Sequence, residues 1–157
     1  MSKTPQLLVM TIIALSATSC GVSTPGDETA ANADPKPQPS VLALMVTEVA
    51  PATDTLWGVE DPQSDQDWQV LSDAADRTIV AFEAIKQGGS GPNDKAWAAE
   101  AKWRAYSDDV IAAARSAKLA IAAQDMDALY DANDALYPPC EACHLDYHPG
   151  VIEPHQE

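Results

Sequence analysis

The feature that most limits the fold is a helical repeat of apolar residues after residue 40, with no alternating run to compete with it. Trp68, Leu71, Ala75, Ile79, Phe82 and Ile85 are spaced by three and four, the period of one helix face. Ala99, Trp103, Tyr106, Val110, Ala113, Ala117 and Ile121 form a second such stripe, and Leu129, Ala132, Leu136, Cys140 and Cys143 a third. A shorter one, Leu42, Met45, Val46 and Val49, opens the series. The spacings predict four helices: one from Val41, one over 65–87, one from Asp94 as N-cap, and one from Asp125. Residues 88–93, "GGSGPN", read as a loop. Four amphipathic helices joined by short loops predict an all-α domain, an antiparallel four-helix bundle, and the alanines predict close helix packing.

Prolines interrupt the pattern twice. Pro51 falls inside the first helix, where a ring without an N–H kinks or ends the helix, so a break is expected there with a second segment through Leu56 and Trp57. Pro138 and Pro139 fall inside the fourth. A proline disfavours helix at the residue before it, and Pro139 suits the first position of a new helix, with Glu141 favourable in its first turn. The expectation is a joint at Tyr137-Pro138 and a separate short helix from Pro139, ended by Pro149-Gly150.

The first nineteen residues carry Lys3, an apolar run from Leu7 to Ala17 and small residues before Cys20. The run is shorter than the ~20 apolar residues that span a bilayer and reads as a signal peptide, 1–19. "SATSCG" resembles a bacterial lipobox, with Ala17 where leucine is usual. It implies a lipidated Cys20 that anchors the chain to a membrane, with the domain in the periplasm. Residues 21–40 hold four prolines, two glycines and one branched aliphatic. Too little apolar surface is available there to offset chain entropy, so 20–40 read as a lipidated cysteine and its tether. The domain is expected over 41–150, and 151–157 as a flexible tail containing His155.

The 157 residues include 24 acidic and 9 basic side chains, a net charge of −15. Such a polyanion is a poor match for nucleic acid, which is bound through Lys and Arg neutralising phosphates. It suits a basic-surfaced protein partner by electrostatic steering.

The chemistry concentrates in "YPPCEACHLDY", residues 137–147. A structural zinc site needs four closed ligands, and no second cysteine pair exists; His148 and His155 are too few and too local. A thioredoxin-like dithiol expects a strand–helix setting, and no strand is legible. C-x-x-C-H instead signals covalent haem c, one per chain: Cys140 and Cys143 as thioethers, His144 as the proximal iron ligand. His148, four residues on along the same helix, lies on the proximal side and is expected at the surface. The three cysteines are then all used, with Cys20 for lipid.

A four-helix chain with "CEACH" near its C-terminus resembles the class II c-type cytochromes, cytochrome c′ and its low-spin relatives. The resemblance covers roughly 41–148 and is carried by "LM…VAPATDTLW" (44–57) and "LYPPCEACHLDY" (136–147). It implies that a first-helix residue faces the far side of the iron, and Met45, on the apolar stripe, is the candidate distal ligand. With Met45 bound, the chain is an electron carrier passing single electrons between redox partner proteins. With an apolar distal side it binds nitric oxide or carbon monoxide. Met126 starts the fourth helix, too far along the bundle, and Met10 is in the signal. No acid–base pair is recognisable beside the motif, so no enzyme activity is expected. Lys102, Arg104 and Arg77 are candidates for the haem propionates. The resemblance also implies a homodimer through the first two helices, which a break at Pro51 would disturb.

Overall fold

The computed structural model describes residues 37–148 and 150. The apolar leader, Cys20, most of the proline-rich stretch and residues 151–157 with His155 lie outside them.

Among the described residues every regular element is a helix. α1 spans residues 41–57 as Val41–Leu44, a π turn Met45–Val49, and Ala50–Trp57. α2 is Asp65–Lys86, α3 the short Asp94–Ala98, α4 Ala101–Ala123 and α5 Met126–Tyr147. The starts follow local chemistry. Ser40 caps α1 by accepting from Ala43 N, and Asp125 caps α5 by accepting from Ala128 N. Ser64 and Asp67 form a reciprocal capping box at α2, satisfying donors that a helix start leaves free. Gly88, at φ +84°, ends α2 in a conformation costly to residues with a Cβ.

The four long helices form an antiparallel bundle. α1 packs along α2, α2 along α4, and α4 along α5. Ion pairs Asp76–Lys118, Glu83–Arg115 and Lys86–Asp108 run in opposite order along α2 and α4. The fully buried centre is Leu56, Thr78, Ile85, Val110, Leu129 and Leu136. Ala75, Ala114 and Ala117 are also without exposure, and their small side chains let the backbones approach. The stripes expected in α2, α4 and α5 therefore hold, with Trp68, Ile79 and Tyr106 half-buried, except at Ala99, which is exposed and precedes α4.

Several expectations fail. The helix predicted from Asp94 is two helices, parted at Ala99 and Glu100, where Glu100 is extended (φ −81°, ψ 136°). In a continuous helix Trp97 and Trp103 would point about 120° apart; with the break, their rings stack at 5.4 Å. Asp94 does not cap its own helix either. Buried, it accepts from Val41 N and Gly91 N, both at 2.8 Å, and so holds the start of α1 against the 88–93 loop.

Pro51 does not break α1. Ala50–Trp57 is regular helix with the proline in its first turn. The carbonyl that an α register would pair with the missing N–H is Thr47 O, and it accepts instead from Arg77 Nη2 of α2 at 3.1 Å. The preceding turn widens to π, with Ala50 N bonded to Met45 O. This shifts the inward face. In an uninterrupted helix Leu42, seven residues before buried Val49, would share its side. Here Val41 and Leu44 are buried, while Leu42 and Val46 are 66% and 63% exposed.

α5 likewise runs unbroken through Pro138 and Pro139 to Tyr147. The carbonyls these prolines leave unpaired belong to Asp134 and Ala135, both exposed residues, where water can serve. Buried Leu136 on one side and Cys140 and Cys143, packed against the core, on the other hold the helical register.

Candidate haem site

α5 places Cys140 and Cys143 three residues apart on the side that meets the core, and His144 beside them, all half-buried. The continuous helix through the prolines thus carries both sulfurs on the stripe begun by Leu129 and Leu136. The two thiols are free, not joined to each other. Burial pushes the Cys140 thiol up to about 11. Cys143 is pushed up to about 12, by burial first and then by Cys140 and Asp146. Burial of this kind favours the protonated thiol. His144 is lowered, by burial and then by His148, which favours the neutral imidazole, the form that binds a metal. Among the described residues no three His, Cys, Asp or Glu side chains are grouped to hold a metal ion.

The end of α5 is pinned to the start of α4. Tyr147 packs edge-on against Trp97 and Trp103, at 5.7 and 5.0 Å between ring centroids. Its hydroxyl donates to Glu100 Oε2 at 2.7 Å. Asp146 accepts from Tyr106 Oη at 2.7 Å and pairs with Lys102. Trp103 in turn donates its indole N–H to Ile85 O at 3.0 Å. This aromatic buttress escaped the sequence reading: the stripe flagged Trp103, but nothing in local spacing joins residues 97, 103 and 147.

α1 and α5 meet at one clamp. Trp57 Nε1 donates to Asn133 O at 3.1 Å, and Asn133 Nδ2 to Leu56 O at 2.7 Å. From this clamp, Met45 lies twelve residues back along α1 and His144 eleven forward along α5. At 1.5 Å per residue both are about 17 Å away, toward the same end of an antiparallel pair. Met45 is therefore level with His144; it is half-buried and packed against the core. Leu42, Val46 and Ala50 recur every four residues, and Trp57 follows seven later, so all four share one side of α1. Trp57 shows that this side faces α5. Leu42 and Val46, on that side, are exposed.

These residues fit a haem: two thiols on one face of α5, an imidazole next to them, and a half-buried methionine at the same level of α1. Met126 sits at the far end of the bundle, as expected, as does a shallow cavity of about 210 Å³ lined by Trp68, Ser72, Lys118 and Ile121. His148 is exposed. The three propionate candidates have other partners: Arg77 holds Thr47 O and Glu48, Lys102 holds Asp146, and Arg104 donates to Ala98 O at 2.7 Å.

No match was found among curated proteins or among solved structures. The family model of cytochrome c′ matches residues 40–148, which covers the bundle and the whole motif. The chain belongs to the cytochrome c′ family and is a haem-binding c-type cytochrome whose cofactor is covalent haem c.

Proposed function

We propose that this cytochrome carries single electrons in the periplasm. In this reading Cys140 and Cys143 hold the haem, His144 is the proximal ligand and Met45 the distal one. The haem, when bound, supplies an iron that gains and loses one electron. The observation that carries the reading is the place of Met45, half-buried on the inward side of α1 and level with His144 on the antiparallel α5. A thioether opposite an imidazole raises the iron potential, which suits a carrier. Val41 and Leu44 beside Met45 are buried and apolar, and keep water from that side.

The partner is a basic-surfaced redox protein. Lys118 is the last Lys or Arg in the chain. Along α5, Asp127, Asp131 and Asp134 are exposed, as are Tyr137 and Leu145 near the motif, so the haem-bearing helix presents a negative face with apolar residues in it. Lipidation at Cys20 would keep the domain at a membrane, on the tether 21–40. No helix among the described residues is long and apolar enough to cross one. Incorporation of labelled fatty acid, abolished in Cys20→Ser, tests the anchor. Because α1 is unbroken at Pro51, pairing of two copies through α1 and α2 meets no obstacle there; sedimentation of the soluble domain tests it.

The second reading is gas binding at an open distal position, and buried, apolar Leu44, next to Met45, supports it. Ultraviolet–visible spectra in both redox states, with and without carbon monoxide, separate the two. A six-coordinate low-spin haem that resists carbon monoxide, and becomes high-spin in Met45→Ala, is expected. High-spin ferric haem unchanged by that substitution overturns the carrier reading in favour of gas binding.

A further inference from the structure

We propose that Tyr147 is a positioning residue for His144. Seated in a socket at the break between α3 and α4, it fixes the rotation of the last turn of α5, and with it the aim of the imidazole. The inference rests on the reading of His144 as the proximal ligand.

His144 stands in the last turn of its helix, which ends at Tyr147. A helix end has carbonyls without intrahelical donors and opens at little cost. The turn is closed by the bond from His148 N to His144 O at 2.8 Å. A ligand placed there is steadied best from outside its own helix, and the fold does this at two successive residues. Asp146 accepts from Tyr106 Oη at 2.7 Å and pairs with Lys102, both of α4. Tyr147 donates to Glu100 Oε2 at 2.7 Å and meets Trp97 and Trp103 edge-on, at 5.7 and 5.0 Å.

The break at Ala99 and Glu100 makes the socket. It stacks Trp97 on Trp103 at 5.4 Å. Trp103, 2% exposed, is itself fixed by its bond to Ile85 O. Glu100 is the N-cap of α4 but makes no capping bond with its side chain; its carboxylate takes the Tyr147 hydroxyl instead. An interruption of the helix and an unused cap thus serve one residue, three past the ligand.

Steps of about 100° per residue turn these contacts into a constraint on His144. Asp146 and Tyr147 point about 100° apart and both are tied to α4, so the turn cannot roll without breaking one set of contacts. His144 lies about 60° round from Tyr147, on the side away from Asp146. A roll of about 20° moves a side-chain tip, about 5–6 Å from the helix axis, by about 2 Å. A functional constellation tolerates about 0.5 Å and 10–20°. Losing one tie costs the fold little, since the Lys102 and Asp146 side chains are 60% and 33% exposed. The expected effect is therefore on the orientation of the imidazole.

The test uses the haem-loaded protein in its ferric, cyanide-bound form, which is low-spin whatever lies on the distal side. Its haem methyl proton shifts follow the orientation of the proximal imidazole. His144→Ala is measured first: loss of the parent's shift pattern establishes the ligand. Tyr147→Ala and Glu100→Ala are then expected to change the order or spread of the shifts. Glu100→Gln, which keeps an acceptor for the phenol, should restore the parent's pattern. Tyr147→Phe, which keeps the ring in the socket, and Lys102→Ala should each shift it by less. If Tyr147→Ala does not load with haem, Glu100→Ala decides. Asp67→Ala is the control: it weakens the start of α2, at the opposite end of the bundle, and should leave the pattern unchanged. Parental shifts in Tyr147→Ala and Glu100→Ala, with His144→Ala altered, overturn the positioning role and leave the ligand reading intact. A change in Asp67→Ala as large as that in Glu100→Ala also overturns it, since general loosening would then suffice. A shift pattern indifferent to His144→Ala overturns both.

Discussion

The carboxylate of Asp94 accepts the backbone N–H of Val41 across 53 residues of sequence, at 2.8 Å and out of contact with water. The same oxygen takes Gly91 N at 2.8 Å, so one buried acid ties the first residue of α1 to the loop after α2. The loop has been fitted to it: a Cβ at Gly91 would lie 2.5 Å from Asp94 Oδ1, and one at Gly89 would lie 2.4 Å from Pro39 O. Asp94→Ala leaves two donors without a partner, at about 1–3 kcal/mol each where they stay buried. Asp94→Ala is expected to lose about 2 kcal/mol or more in urea unfolding, and Asp94→Asn less, since its amide oxygen can still accept. Gly89→Ala should be as damaging as Asp94→Ala because its clash is with backbone.

A second link sets the other end of α1. Asn133, 5% exposed, donates to Leu56 O, while its Oδ1 has no partner among the described residues. Asn133→Ala removes that donor, while Leu56 O keeps the longer bond from Val59 N at 3.4 Å, and should cost about 0.5–1.5 kcal/mol. Trp57→Phe removes only the bond to Asn133 O and should cost about 1 kcal/mol. If the clamp also sets the spacing of α1 and α5, Asn133→Ala will loosen the haem gap. Faster carbon monoxide binding in that variant than in Trp57→Phe checks this.

What the sequence could and could not foretell follows from the range of the forces involved. The stripes of α2, α4 and α5 were legible because burial of Leu71, Val110 or Leu129 repeats with the helix period. CEACH was legible because its chemistry lies within five residues. The prolines misled because the rule against them concerns one missing N–H, and its cost depends on who serves the orphaned carbonyl. At Thr47 that is Arg77, thirty residues away; Asp134 and Ala135 are exposed residues, where water can serve. The inward face of α1 was misjudged by one residue for the same reason, since the π turn that answers Pro51 has no local signature. Asp94 was correctly placed at a helix start, but it serves a different helix from its own.

The capping box at α2 predicts a small acid sensitivity. The Asp67 carboxyl is held below its ordinary 3.8, chiefly by the Ser64 hydroxyl and then by Gln63 N–H. A carboxylate with a depressed folded pKa adds stability above the unfolded value and loses it as pH falls through the folded one. The contribution of Asp67 should therefore be whole at pH 6 and fade below about pH 4. Asp67→Ala should lower the melting temperature at pH 6 and converge on the parent by about pH 2–3, a range set by carboxylate titration. A gap that does not narrow on acidification would assign the cap to something other than this charge.

The haem motif makes the sharpest prediction. Cys140→Ala or Cys143→Ala leaves one thiol to form a thioether, so the chain should retain covalent haem in lower yield, with a shifted pyridine haemochrome band. The double substitution should release all haem to acidic acetone. His144→Ala keeps both attachment sites and loses the imidazole, so haem should stay covalently bound while the ferric spectrum changes. His148→Ala is the control: exposed and on the proximal side, it should leave attachment and spectrum as they are. Retention of haem by the double cysteine variant through acid extraction would place the attachment elsewhere. A change in His148→Ala as large as that in His144→Ala would reassign the proximal ligand.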